Sequence, residues 1–131
     1  MAQKFMSFLL ILLILSSCNQ AEEKVSQELN DQVMQLHDQL MGKTEDVLKL
    51  KRRLDSLSTG KDSINVHKII ASLNKADESM MDWMHHFSLD SLDKMDMSNK
   101  IGYLKKQLEA LKNLEKSTDS SVHAAKTYTA K

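Results

Sequence analysis

The one cysteine of the chain, Cys18, follows Leu15, Ser16 and Ser17. An aliphatic residue, two small residues and a cysteine make a lipobox, in which the thiol takes a diacylglycerol and the small side chains let a peptidase cut before it. The residues ahead of it fit an export signal: Lys4 is the positive start, and Phe5 to Leu15 is apolar apart from Ser7. At about 11 residues this run is short of the about 20 that cross a bilayer. A single cysteine allows no disulfide within the chain, and thioether modification removes a thiol that an oxidising compartment would attack. Acyl chains on the new N-terminus add about 0.8 kcal/mol per buried methylene, enough in combination to hold the protein on a membrane. Asn19 follows the cysteine without the Asp that commonly retains lipoproteins at the inner membrane, which favours the outer membrane. The weak acidic pair Glu22 and Glu23 leaves display on the cell surface open.

A second group of residues has types suited to a soft metal. Met34, His37 and Met41 stand at i, i+3 and i+7, on one side of a helix. Met80, Met81, Trp83, Met84, His85 and His86 crowd a later segment. In a hairpin turning about Gly60, residues whose numbers sum to about 120 lie at one height, which brings the two groups level. Thioether and imidazole donors together suit Cu(I), with Met34, His37, Met41 and Met84 as the ligands such a site would use. Against this, Met80 falls on an apolar heptad and methionine is a flexible core filler. His85 and His86 sit at a helix end, and His37 has Asp38 beside it to bond. Ordinary core and surface roles are therefore the favoured reading and metal binding the second one.

Nothing in the chain points to an enzyme: it has no Gly-rich phosphate loop, no HExxH and no nucleophile elbow. Its Ser and Asp residues sit where turns and caps need them. No cofactor is expected. Lys plus Arg and Asp plus Glu number 18 each, and cleavage before Cys18 takes away one lysine and no acid. The near-balance argues against nucleic acid, which calls for a basic patch. The one basic cluster, Lys49, Lys51, Arg52 and Arg53, lies toward the end of a helix, where cations complement the dipole.

These residues must be positioned by helices. The chain has no proline, three glycines and few aromatics, a composition that favours helix. Leu29, Val33, Leu36, Leu40, Lys43, Val47, Leu50, Leu54 and Leu57 step by four and three, with Lys43 the one break. A second column, Met34, Met41 and Leu48, widens the face enough for two neighbours. This helix is expected from near Ala21 to near Ser58, about 54 Å at 1.5 Å per residue. Gly60 ends it, and Asp62 or Ser63 caps the next. Helix two carries Val66, Ile69, Leu73, Ala76, Met80, Trp83 and Phe87, and Trp83 is expected to be well buried. Ser88 to Asp93 reads as a loop or short turn. Helix three carries Met97, Ile101, Leu104, Leu108, Leu111 and Leu114.

Two stretches carry a resemblance. One is 34–54, with His37-Asp38, Met41 and Leu48-Lys49-Leu50-Lys51. The other is Ala76-Asp77-Glu78-Ser79-Met80-Met81-Asp82-Trp83-Met84-His85-His86-Phe87. Together they resemble small helical lipoproteins of the Bacteroidota sometimes labelled "viral A-type inclusion protein", a label that reflects coiled-coil similarity. The resemblance implies lipid anchoring and a helical fold and implies no catalytic residue. The free Lys131 at the end of a lipid-then-helix layout is also similar to the murein lipoprotein that is linked to peptidoglycan, though this chain is about twice as long and breaks into three helices.

The expectation is thus an all-α protein: an antiparallel up-down-up three-helix bundle, or helical hairpin, with coiled-coil-like packing. Residues 1–17 are the signal peptide, 18–20 the lipidated N-terminus, 21–116 the bundle and 117–131 a polar tail that Val122 and Ala125 extend weakly. Its expected place is the cell envelope, lipid-anchored at Cys18 and facing the periplasm from the outer membrane. Its expected role there is a non-enzymatic structural or interaction module for another envelope protein, with Trp83 a candidate docking residue. Periplasmic copper binding is the alternative.

Overall fold

The computed structural model describes the backbone of residues 2–58 and 63–130, and the side chains of 19–58 and 63–130. The lipobox side chains with Cys18, the Gly60 break with Asp62, and Lys131 lie outside the described residues. All regular structure among them is helical: α1 (Ala2–Leu57), α2 (Ser63–His86), α3 (Leu89–Leu92) and α4 (Met97–Thr129). No helix among the described residues is long and apolar enough to cross a membrane.

The heptads choose the buried faces. Val33, Leu40, Val47 and Leu54, every seventh residue of α1, are all buried, as are Val66, Leu73 and Met80 of α2. A strict seven-residue repeat keeps one seam of each helix turned to its neighbours. Helix directions follow from long-range pairs. Lys43 meets Asp119 at 2.6 Å and the Arg53 guanidinium donates to the Thr129 carbonyl at 3.1 Å, so α1 and α4 advance together at a constant offset. His37 lies against Trp83, and the Ser121 hydroxyl donates to the Ser72 carbonyl at 3.3 Å, so α2 runs against both.

Three boundaries differ from expectation. First, α1 begins at Ala2 and not near Ala21. No glycine or proline separates the apolar run from the heptads, so nothing in the backbone breaks the helix. Second, residues 88–93 hold a one-turn helix, α3. Ser88 caps it by accepting from the Ser91 N–H at 3.3 Å, the usual service of a serine at that place. Third, residues 117–129 are not a separate polar tail: α4 runs through them, and Thr118, Ser121 and Ala125 are buried. Thr118 and Ala125 continue the sevenfold series of Leu104 and Leu111 with smaller side chains.

At its start α4 is capped by Asp96, whose carboxylate accepts from the Asn99 N–H at 3.0 Å. The backbone and side-chain hydrogen bonds from Asn99 hold the Asp96 carboxyl below its ordinary pKa.

The core divides in two. A proximal cluster joins Val33, Leu40, Met80, Leu92, Leu104, Leu108, Leu111 and Leu114, with Trp83, Met84, Phe87, Met95 and Tyr103 packed on it. A distal cluster joins Val47, Leu50, Leu54, Val66, Leu73 and Ala125, with Ile69, Ile70, Val122 and Tyr128 against it. Between them lies a polar waist. Lys43 reaches across α4 to Asp119 and, at 3.6 Å, to Glu115. Just inside, Thr44, Asp77 and Thr118 line a small void of about 10 Å³ with Leu40, Val47, Ala76 and Met80, room for about one water.

Candidate functional site

The residues read as a metal layer have four different surroundings. The His37 Nδ1 lies 3.0 Å from an Asp38 carboxylate oxygen, and its ring leans on Trp83 at 5.6 Å between centroids. Met84 packs onto the proximal core. Met34 is half-buried and Met41 is 40% exposed. The hairpin register does bring His37 level with Trp83, whose numbers sum to 120. Among the described residues, no group of three His, Cys, Asp or Glu side chains is placed to hold a metal ion.

An aromatic layer lies beside His37 and Met84. Trp83 stacks on Phe87 at 4.7 Å, and Phe87 faces Tyr103 of α4 at 6.1 Å. Such stacked pairs contribute about 0.5–1.5 kcal/mol beyond their burial. The Tyr103 hydroxyl closes the end of α2: it accepts from the Ser88 N–H at 3.3 Å and donates toward the His86 carbonyl at 3.5 Å. Its hydroxyl is thereby spent on the backbone. Tyr103 was not singled out from the sequence. Its signal was positional, a lone aromatic one residue before the heptad leucine Leu104.

Trp83 itself is half-buried and not enclosed. It sits on the heptad but beside a gap, because α4 presents Ala110, Asn113, Leu114 and Ser117 to it across an open groove. The indole Nε1 is shielded from solvent and has no hydrogen-bond partner among the described residues, a cost of about 1–3 kcal/mol for a buried donor.

A second cleft, of about 250 Å³, opens where α1 passes α3 and the start of α4. Ser26, Gln27, Asn30, Asp31, Leu89, Leu92, Asp93 and Lys100 line it. The Asn30 Oδ1 is buried there without a partner among the described residues. Lys100 and Asp93 stand 3.9 Å apart at its rim. No heptad reading could find this cleft, since its walls are the polar flanks of the helices.

On the outer surface of α1, Lys49 bonds Glu45 at 2.7 Å. The hydrogen bond and charge of Lys49 lower the Glu45 carboxyl below its ordinary pKa, and Glu45 raises the Lys49 ammonium in return. Lys49 and Arg52 of the basic cluster are exposed, as expected of a solvated helix end. Arg53 instead holds the end of α4 through the Thr129 carbonyl.

Comparison with known proteins adds no relative: no protein-family model, no curated protein and no solved structure matches the chain.

Proposed function

We propose that the chain is a membrane-anchored bacterial lipoprotein whose helices act as a non-enzymatic structural or protein-interaction module of the cell envelope. The observation that carries the anchor is Leu15-Ser16-Ser17-Cys18 behind a short apolar run with one positive charge ahead of it. The resemblance to small helical lipoproteins of the Bacteroidota agrees with it, and Asn19 after the cysteine favours the outer membrane with the protein facing the periplasm. The described helices fit an up-down-up arrangement of α1, α2 and α4, with the stretch of α1 that follows Cys18 leading from the anchor into the bundle.

The interaction role is supported by how the polar groups are used. Tyr103, Ser88, Ser91 and Asp96 serve helix ends, and Ser72, Ser117 and Ser121 bond backbone carbonyls within or between helices. Large apolar side chains meanwhile stand in solvent: Ile64 at 71%, Leu89 at 52% and Met81 at 48% exposure. A rod that spends its hydroxyls on its own backbone and exposes apolar side chains is built to be touched along its length.

The test is metabolic labelling with palmitate. The parent chain takes up label, and Cys18→Ala takes up none and stays uncleaved; label on the Cys18→Ala chain would sink the anchor reading. For the role, Cu(I) titration against a competing chelator compares the parent with a variant lacking Met34, His37, Met41 and Met84. Equal, weak binding by both is expected. One tight equivalent, held by the parent and lost in the variant, would replace the interaction reading with copper binding.

A further inference from the structure

The side of α1 that faces away from the core carries two exposed apolar side chains and a glycine that the protein's own fold does not use. Met41 and Leu48 are 40% and 43% exposed, each one residue past a buried heptad position. Between them is Gly42, in mid-helix, where an added Cβ would meet nothing within 4 Å. A glycine inside a helix costs roughly 0.5–1 kcal/mol relative to alanine, and nothing in this chain approaches it closely enough to require one. The charges on the same strip are ordered: Asp38 and Glu45 come first, then Lys49 and Arg52. At 3.6 residues per turn all seven positions fall within an arc of about 120° and so share one face. That face is an apolar strip with a notch, acidic at one end and basic at the other.

A strip ordered in this way is complementary to itself when reversed. We propose that it seats a second copy of the chain, the two α1 helices packing antiparallel about a two-fold axis near Glu45. Residues whose numbers sum to about 90 then face each other, as an isologous contact requires. Leu48 of the second copy lies over the Gly42 notch, where the missing side chain lets it in. Arg52 of the second copy comes beside Asp38, a contact made twice, while the two Glu45 side chains flank the axis, each held by Lys49 of its own chain at 2.7 Å. A parallel pairing in register would set acid on acid and base on base, so the charge order selects the antiparallel one. The other occupant to consider, an unrelated helix, has no reason to match a two-fold charge order.

With few apolar side chains per copy the contact is small, and small contacts are weak. Tethering on a membrane raises the effective concentration and makes such a contact count. Cys18 is 27 residues from Glu45, about 40 Å along the helix, so anchors on the two copies leave from opposite ends and the pair lies along the membrane surface.

The test is sedimentation equilibrium of the full chain in mild detergent, with helicity checked by circular dichroism. The parent forms a reversible dimer that added salt weakens. Asp38→Arg weakens it at least about fivefold, since two exposed ion pairs become repulsions. Adding Arg52→Asp to the Asp38→Arg chain restores pairing to within about twofold. Gly42→Ala separates pairing from folding: the variant melts at a higher temperature, because nothing in its own chain crowds the new methyl, yet pairs less well, because the notch is filled. A parent that stays monomeric at millimolar concentration overturns the proposal. So does a dimer indifferent to Asp38→Arg, or a charge swap that fails to restore pairing. Equal pairing by Gly42→Ala removes the notch and with it the proposed register.

Discussion

The two halves of the core are built by different means. The proximal cluster is closed by aromatic rings: Trp83, Phe87 and Tyr103 lie over a bed of leucines from α4. The distal cluster has Tyr128 at its margin and is otherwise aliphatic, with Ala125 where the proximal half has leucine. The reason lies in α4. Its seam reads Leu104, Leu111, then Thr118, Ala125, so its buried side chains shrink toward the C-terminus. Where α4 is bulky, rings pack over its leucines. Where it is small, Ser121 reaches the Ser72 carbonyl and Arg53 the Thr129 carbonyl. The difference teaches that one seven-residue rhythm can carry a ring-capped core and an aliphatic one in the same bundle.

The sharpest way to break this comparison is to open a cavity in each half. Leu104 and Leu54 are both fully buried. Each change to alanine should cost about 2–5 kcal/mol, with Leu104→Ala at the lower end because the neighbouring rings can settle into the gap. The distal half, with Tyr128 its one ring, has fewer side chains able to swing into a gap. Urea unfolding followed by circular dichroism measures both, and a smaller loss for Leu54→Ala would refute the ranking.

Trp83 comes next. A buried tryptophan cut to alanine costs about 3–5 kcal/mol, but Trp83 is half-buried and its Nε1 has no partner among the described residues. Trp83→Ala should therefore cost about 2–3 kcal/mol. The parent's fluorescence should sit between the emission of a buried and a solvated indole. Fully solvated emission from the folded protein would mean the ring is turned outward and free to dock a partner.

The smallest effect belongs to the waist. Thr118 is 6% exposed and lines the void with Thr44 and Asp77. Thr118→Val keeps the shape, removes a polar group from the seam, and should stabilise by about 0.5–1 kcal/mol. It should also join the two clusters, so that hydrogen exchange slows on both sides of the waist. Destabilisation would show instead that the hydroxyl and a water in the void form a network the fold needs.

Much of this was legible in the chain. Sevenfold spacing marked Val33, Leu40, Val47 and Leu54 as core, and marked Lys43 as the exception, which the structure turns into an ion bridge to α4. The end of α1 and the pairing of His37 with Trp83 followed from Leu57, Gly60 and a hairpin count. The end of the bundle was not legible. Residues 117–129 have few large apolar side chains, and a tail of Ser, Thr, Ala and Lys has by itself too little apolar surface to offset the entropy of ordering it. It is helical because α1 and α2 are already there, with Arg53 to hold the Thr129 carbonyl and Asp46 to meet Lys126 at 3.7 Å.

The sequence by itself determined the period, and through it which face of each helix turns inward, because an apolar repeat of seven can be buried by a helix on only one side. Only the tertiary structure decided which neighbours each seam meets, and so whether Thr118 and Ser121 are buried or exposed and whether Trp83 is enclosed or left at the edge of a groove. The physical reason is that periodicity is a property of one helix, whereas burial depends on the side chains that three helices bring together.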